Sequence, residues 1–96
     1  MILDKKIEEK IAKGIKYLKL IGCKEIILFG SLIDGTFDEH SDIDLAVSGI
    51  IPRNYFKAVV TLPSVIGHKV DLVALDYVSK DFEKKIRKEG RTLFAE

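Results

Sequence analysis

The chain has 96 residues, 47% of them apolar and 32% charged, with a formal net charge of +1. That is the length of one domain holding a single modest core, and the composition excludes disorder and fibrous repeats. The near-zero net charge argues against binding through a strong uniform field, such as non-specific coating of DNA, and no apolar run approaches the roughly 20 residues of a membrane span.

From Met1 to Lys10 charge alternates with isoleucine, which does not build a signal-peptide core. Ile7, Ile11, Ile15 and Leu18 recur at helical steps and predict an amphipathic helix over residues 4–21, capped by Asp4 and ended at Gly22. Gly14 inside it is a cost of up to about 1 kcal/mol that close packing would explain. The lysines around the rest of this helix read as a solvated face. Cys23 is the only cysteine, which points to a reducing, cytoplasmic setting and to a small packed residue. Glu25 to Phe29 is a short apolar run stopped by Gly30, as expected of a central strand buried on both faces. Ser31 to Ser41 is polar and reads as a loop with at most one helical turn.

Residues 42–47 alternate, with Ile43, Leu45 and Val47 on one side and Asp42, Asp44 and Ala46 on the other, which predicts a strand with one packed and one open face. Pro52 opens a helix carrying Tyr55, Phe56, Val59 and Val60, with Pro63 near its end. Lys69 to Leu75 is a third strand. Ser79 caps a last helix through Lys88 with Phe82 and Ile86 facing inward, and Thr92 to Ala95 adds a short edge strand. The expected fold is α/β (α+β): a small mixed sheet backed by helices on one face, forming one domain over residues 1–96. The absence of glutamine and the single asparagine, Asn54, beside abundant Lys, Glu and Ile is a balance found in thermophile proteins.

The chemistry concentrates in Gly30 to Val47. A P-loop is excluded because Gly35 is followed by Thr36 and Phe37, and an EF-hand because Ala46 and Val47 stand where a ligand and a glycine are needed. An aspartyl nucleophile of the phosphatase type would end an apolar strand, whereas Asp42 begins one. What remains is a carboxylate pair, Asp42 and Asp44, pointing the same way from one strand roughly 6.5–7 Å apart. Such a pair repels itself unless a cation intervenes, and hard oxygen donors suit Mg²⁺ with substrate phosphates completing its shell. Asp71 interrupts another apolar strand and needs a local reason to be there. Gly30 permits close backbone approach to a ligand, and the Ser31 hydroxyl with nearby N–H groups can hold phosphate oxygens. His40 reads as a solvated loop residue. His68 is an odd number of positions from Asp71, so within one strand the two would face opposite ways. Tyr55, Phe56 and Tyr77 read as core or rim, and the basic residues from Lys80 to Arg91 as a solvated helix.

With Gly30-Ser31, Ser41-Asp-Ile-Asp-Leu-Ala-Val47, Val70-Asp-Leu-Val73 and Ile86-Arg-Lys-Glu-Gly90 in place, nearly the whole chain resembles the DNA polymerase β-like nucleotidyltransferase superfamily. Within it, the chain is similar to the minimal nucleotidyltransferases (MNT), which act as antitoxins of HEPN-domain toxins. The resemblance implies transfer of a nucleoside monophosphate, AMP from ATP, to a hydroxyl such as a tyrosine of a HEPN toxin. It implies that Asp42 and Asp44 hold two Mg²⁺ ions, that Asp71 completes the metal site and helps deprotonate the acceptor, and that Gly30 and Ser31 hold the triphosphate. The chain departs from its relatives at Asp34, where a basic residue is common, and at Ile33, where a small one is. An acid near a triphosphate weakens binding. Two alternatives therefore stand beside catalysis on a protein: an antitoxin acting by occlusion alone, and a small-molecule adenylyltransferase, although those carry an additional helical domain.

Overall fold

The computed structural model describes residues 4–96; the alternating segment's first three residues lie outside the described residues. Helix α1 (Lys5–Leu20) starts where the Asp4 carboxylate accepts from the Lys6 N–H at 2.7 Å. It buries Ile11 and Leu18, with Ile7 and Ile15 packed against the same core. Strand β1 (Glu25–Phe29) follows, then a single helical turn α2 (Ser31–Asp34) and strand β2 (Ile43–Ser48). Helix α3 (Pro52–Ile66) leads to strand β3 (Val70–Ala74), a 3-10 turn (Leu75–Tyr77), helix α4 (Lys80–Glu89) and strand β4 (Arg91–Ala95). The Ser79 hydroxyl caps α4 by accepting from the Phe82 N–H.

The sheet order is β3-β2-β1-β4. Strand β1 runs antiparallel to both β2 and β4, whereas β2 and β3 are parallel, as the α3 crossover between them requires. The mixed sheet and the elements match the expectation closely. Helices α1 and α3 cover the face made by Ile26, Leu28, Ile43, Leu45 and Leu72. Gly14 explains how closely they meet, since a Cβ there would fall 2.7 Å from Ile66 Cδ1.

The opposite face is not bare. Helix α4 lays Ile86 over Ile27, Ala46 and Leu75, so β1 is buried on both faces as its composition predicted. The helix is also fastened electrostatically. Arg87 forks onto Glu25 at 2.8 and 3.0 Å and reaches Glu83 at 3.0 Å, while the Ser48 hydroxyl donates to Glu25 at 2.8 Å. The Arg87 bond, helped by Ser48, holds the Glu25 carboxyl down at about 2. Phe82, expected to face inward with Ile86, is instead exposed, because Ile86 alone fills the inner side of α4; its ring meets Phe29 edge-on at a centroid distance of 6.3 Å. Cys23 is buried, and burial pushes its thiol up to about 11.

Ile86 is the one fully enclosed residue of α4. Truncating it by Ile86→Ala should cost about 2–5 kcal/mol, read as a lower urea midpoint at unchanged slope.

Candidate active site

Strand β1 ends, and strands β2 and β3 begin, at the same edge of the sheet, and the chemistry-bearing residues gather there. Phe29 pairs with Asp44, and Asp44 pairs with Asp71 in the parallel ladder. Across the sheet the order is therefore Gly30 and Ser31 at the end of β1, Asp44 on β2, then Asp71 on edge strand β3. Neighbouring strands lie about 4.8 Å apart, so Asp44 and Asp71 are closer through their backbones than residues two apart along one strand. Asp42 sits one residue before β2 and is exposed. The tighter carboxylate pairing is across strands, Asp44 with Asp71, rather than along one strand. Asp71 is exposed on its edge strand, so no burial cost attends it.

Gly30 adopts φ +77°, a left-handed conformation costly for other residues. It also faces Asp44: a Cβ on Gly30 would collide with Asp44 Oδ2. The glycine therefore gives the Asp44 carboxylate its space. Partial burial, and then the Asp71 charge, push the Asp44 carboxyl above its ordinary range; the Ser31 N–H pulls it back, and Asp42 and Asp34 push it further. A carboxylate so placed among like charges offers the donor chemistry that a divalent cation neutralises. Among the described residues no three His, Cys, Asp or Glu side chains, the trio Asp42, Asp44 and Asp71 included, converge closely enough to hold one metal ion together. An open edge with two neighbouring carboxylates suits Mg²⁺, which takes one or two carboxylates and fills its shell with phosphate and water.

Two hollows flank this row. On the β3 side lies a mainly apolar cleft of about 530 Å³, with Asp71 in its lining beside Tyr55, Phe56, Tyr77 and Phe82. Tyr55 is anchored there, its hydroxyl donating to the Leu72 carbonyl at 2.8 Å. On the β1 side a smaller hollow of about 260 Å³ is lined by Phe29, Gly30, Ile86, the acids Asp34 and Glu89, and Lys85. Asp34 turns its carboxylate into its own loop, accepting from the Thr36 N–H and hydroxyl at 3.0 and 2.6 Å, and these bonds keep it ionised. The aromatic cleft and Lys85 escaped the sequence reading. Lys85 was detectable in principle, since it adjoins the buried Ile86. His40 is a solvated loop residue, its side chain 86% exposed beside Glu39.

A carboxyl whose folded pKa is raised binds its proton more tightly folded than unfolded, so its ionisation removes stability as pH rises through that pKa. Asp44→Asn, which keeps an acceptor for the Ser31 N–H, should therefore melt higher than wild type at pH 7 in EDTA. The difference should vanish near pH 3, below the usual carboxylate range of about 4.

Comparison with known proteins shows the family of the chain. A protein adenylyltransferase MntA of Aphanizomenon flos-aquae is 27% identical over 100 residues, covering 91% of this chain; the chain spans 63% of that relative's length. A crystal structure of a toxin–antitoxin with AMP-PNP contains a chain 31% identical, covering 93% of this chain and 73% of that one, with a TM-score of 0.76. A complex of tri-AMPylated Shewanella oneidensis HEPN toxin with MNT antitoxin contains a chain 25% identical, covering 91% and 73%, with a TM-score of 0.64. The family model described as polymerase beta, nucleotidyltransferase matches residues 9–96. The chain belongs to the polymerase beta nucleotidyltransferase family.

Proposed function

We propose that this chain is a Mg²⁺-dependent protein adenylyltransferase that moves AMP from ATP onto a hydroxyl of a HEPN-type toxin, as a cytoplasmic antitoxin of one minimal nucleotidyltransferase domain. The observation that carries the reading is the row Gly30–Ser31, Asp44, Asp71 across one sheet edge, with the space for Asp44 made by a glycine. The likeness to MntA and to toxin–antitoxin complexes, one with AMP-PNP and one with an AMPylated toxin, supports the choice of nucleotide and partner.

In this reading Ser31 and the backbone around Gly30 hold the triphosphate, and Lys85 supplies positive charge from the flanking hollow. Asp42, Asp44 and Asp71 are the metal-binding carboxylates; bound Mg²⁺ supplies neutralisation of the phosphates and of the entering and leaving oxygens. The acceptor hydroxyl enters on the opposite flank, where the aromatic cleft meets Asp71. Its oxygen bonds to the α-phosphorus while its proton passes to the Asp71 carboxylate. The bond from the α-phosphorus to the bridging oxygen breaks, and pyrophosphate leaves with that electron pair. The protein contributes mainly placement, which is what phosphoryl and nucleotidyl transfer demand.

A second reading, an antitoxin acting by occlusion alone, is favoured by one observation: Asp34 keeps a negative charge in the hollow beside Gly30. The two separate cleanly. Incubated with Mg-ATP and the product of the adjacent gene, wild type should add AMP to that partner, seen as a mass gain. Gly30→Ala and Asp44→Ala should abolish the gain while leaving the complex intact on a sizing column. Neutralisation that survives Asp44→Ala would establish occlusion instead. Asp34→Asn, which retains the Thr36 bonds, should lower the KM for ATP roughly two- to fivefold, the size of an exposed charge–charge interaction.

A further inference from the structure

His68 belongs to neither the core nor the carboxylate row. It lies outside β3, in the turn between α3 and β3, so the alternation argument that would turn it away from Asp71 does not apply. Its Nε2 lies 2.7 Å from the Ser41 carbonyl oxygen, 27 residues away in sequence. A carbonyl only accepts, so Nε2 carries the proton and donates. The ring is half-buried and packs against Phe37 at a centroid distance of 5.6 Å. Its own turn is held in place: the Gly67 and His68 N–H groups donate to the Pro63 carbonyl, and Lys10 Nζ donates to the Gly67 carbonyl at 3.1 Å.

The Ser41 carbonyl shares a planar peptide with the Asp42 N–H. On the other side of Asp42, the Ile43 N–H donates to the Lys69 carbonyl at 2.9 Å. The two peptide planes that flank Asp42 are thus gripped by two consecutive residues, His68 and Lys69. With both planes fixed, so are φ and ψ of Asp42 and the direction of its Cα–Cβ bond. The loop before it is self-tied, with Asp38 and Ser41 bonding each other through backbone and side chain, but those bonds end at Ser41. The imidazole extends the β2–β3 pairing one step past its last backbone bond, to an exposed aspartate that no strand contains.

We infer that His68 is a positioning residue for Asp42, holding that carboxylate in register with Asp44 and Asp71 for a divalent cation. The metal half of this inference rests on the function proposed above; the loop-ordering half does not. His68→Phe keeps the ring against Phe37 and removes the donor, whereas His68→Gln restores a donor of similar reach. Two readouts apply: amide hydrogen exchange without ligand at Ser41 and Ile43, whose N–H groups donate to the Asp38 and Lys69 carbonyls, and Mn²⁺ affinity from the free-ion EPR signal. His68→Phe should speed exchange at these amides at least tenfold, leave the β1 amides and the melting temperature near wild type, and weaken Mn²⁺ binding about tenfold. His68→Gln should recover most of both. Unchanged exchange in His68→Phe overturns the inference whatever the metal result. Faster exchange with unchanged Mn²⁺ affinity reduces the contact to local structure and overturns it too. A wild type that binds no Mn²⁺ overturns the function proposed above, and the metal half of this inference with it, leaving the exchange result to judge the loop.

Discussion

Two like charges held side by side are the constraint around which this molecule is arranged. The parallel pairing of β2 with β3 sets Asp44 opposite Asp71, and the chain accepts that repulsion at the sheet's edge, where water and a cation can reach it. Other features follow from making this tolerable. Gly30 leaves room for the Asp44 side chain, the Ser31 N–H offsets part of the charge, and Asp71 stands on an exposed edge strand instead of in the core. Stability is gathered elsewhere, in Leu18, Ile26, Leu28, Leu45 and Leu62 on one side of the sheet and Ile86 on the other.

That division of labour explains the unequal roles of the helices. Helices α1 and α3 carry the larger core and meet closely at Gly14 and Ile66. Helix α4 contributes one enclosed side chain and the Arg87 fork, yet it also lines the hollow beside Gly30 and brings Phe82 to the cleft beside Asp71. A lightly anchored helix spanning both flanks of the site joins the stability of the second layer to the geometry of the edge. The exposed apolar side chains of α3, Phe56 and Val60 above all, lie outside both cores.

Much of this was legible in the sequence, because periodicity and end signals report local preference. The spacing of Ile7, Ile11, Ile15 and Leu18 located α1, the Ser79 cap located α4, and the alternation after Asp42 located β2. The aspartates were found by their chemistry, since acids in apolar strands are conspicuous. Their partnership was less visible: residues two apart along a strand can be counted, whereas the neighbour across a parallel ladder depends on register. For the same reason His68 gave no signal. Its contact joins positions 27 residues apart through a turn whose length decides everything. Phe56 and Val60 look like core by composition and face outward, because Ala58, Leu62 and Ile66 already fill the inner stripe of α3.

The crossover that makes β2 and β3 parallel has a kinetic side. Antiparallel β1 and β2 lie close in sequence, but β3 can reach β2 only after fifteen residues of α3 have spanned the sheet. Asp44 and Asp71 are therefore strangers in any chain whose crossover is unfinished. Loss of β3 from the sheet separates them while β1, β2 and β4 remain able to pair. The site is a reporter of the finished crossover: a copy in which β3 has not joined β2 cannot hold the aspartates together.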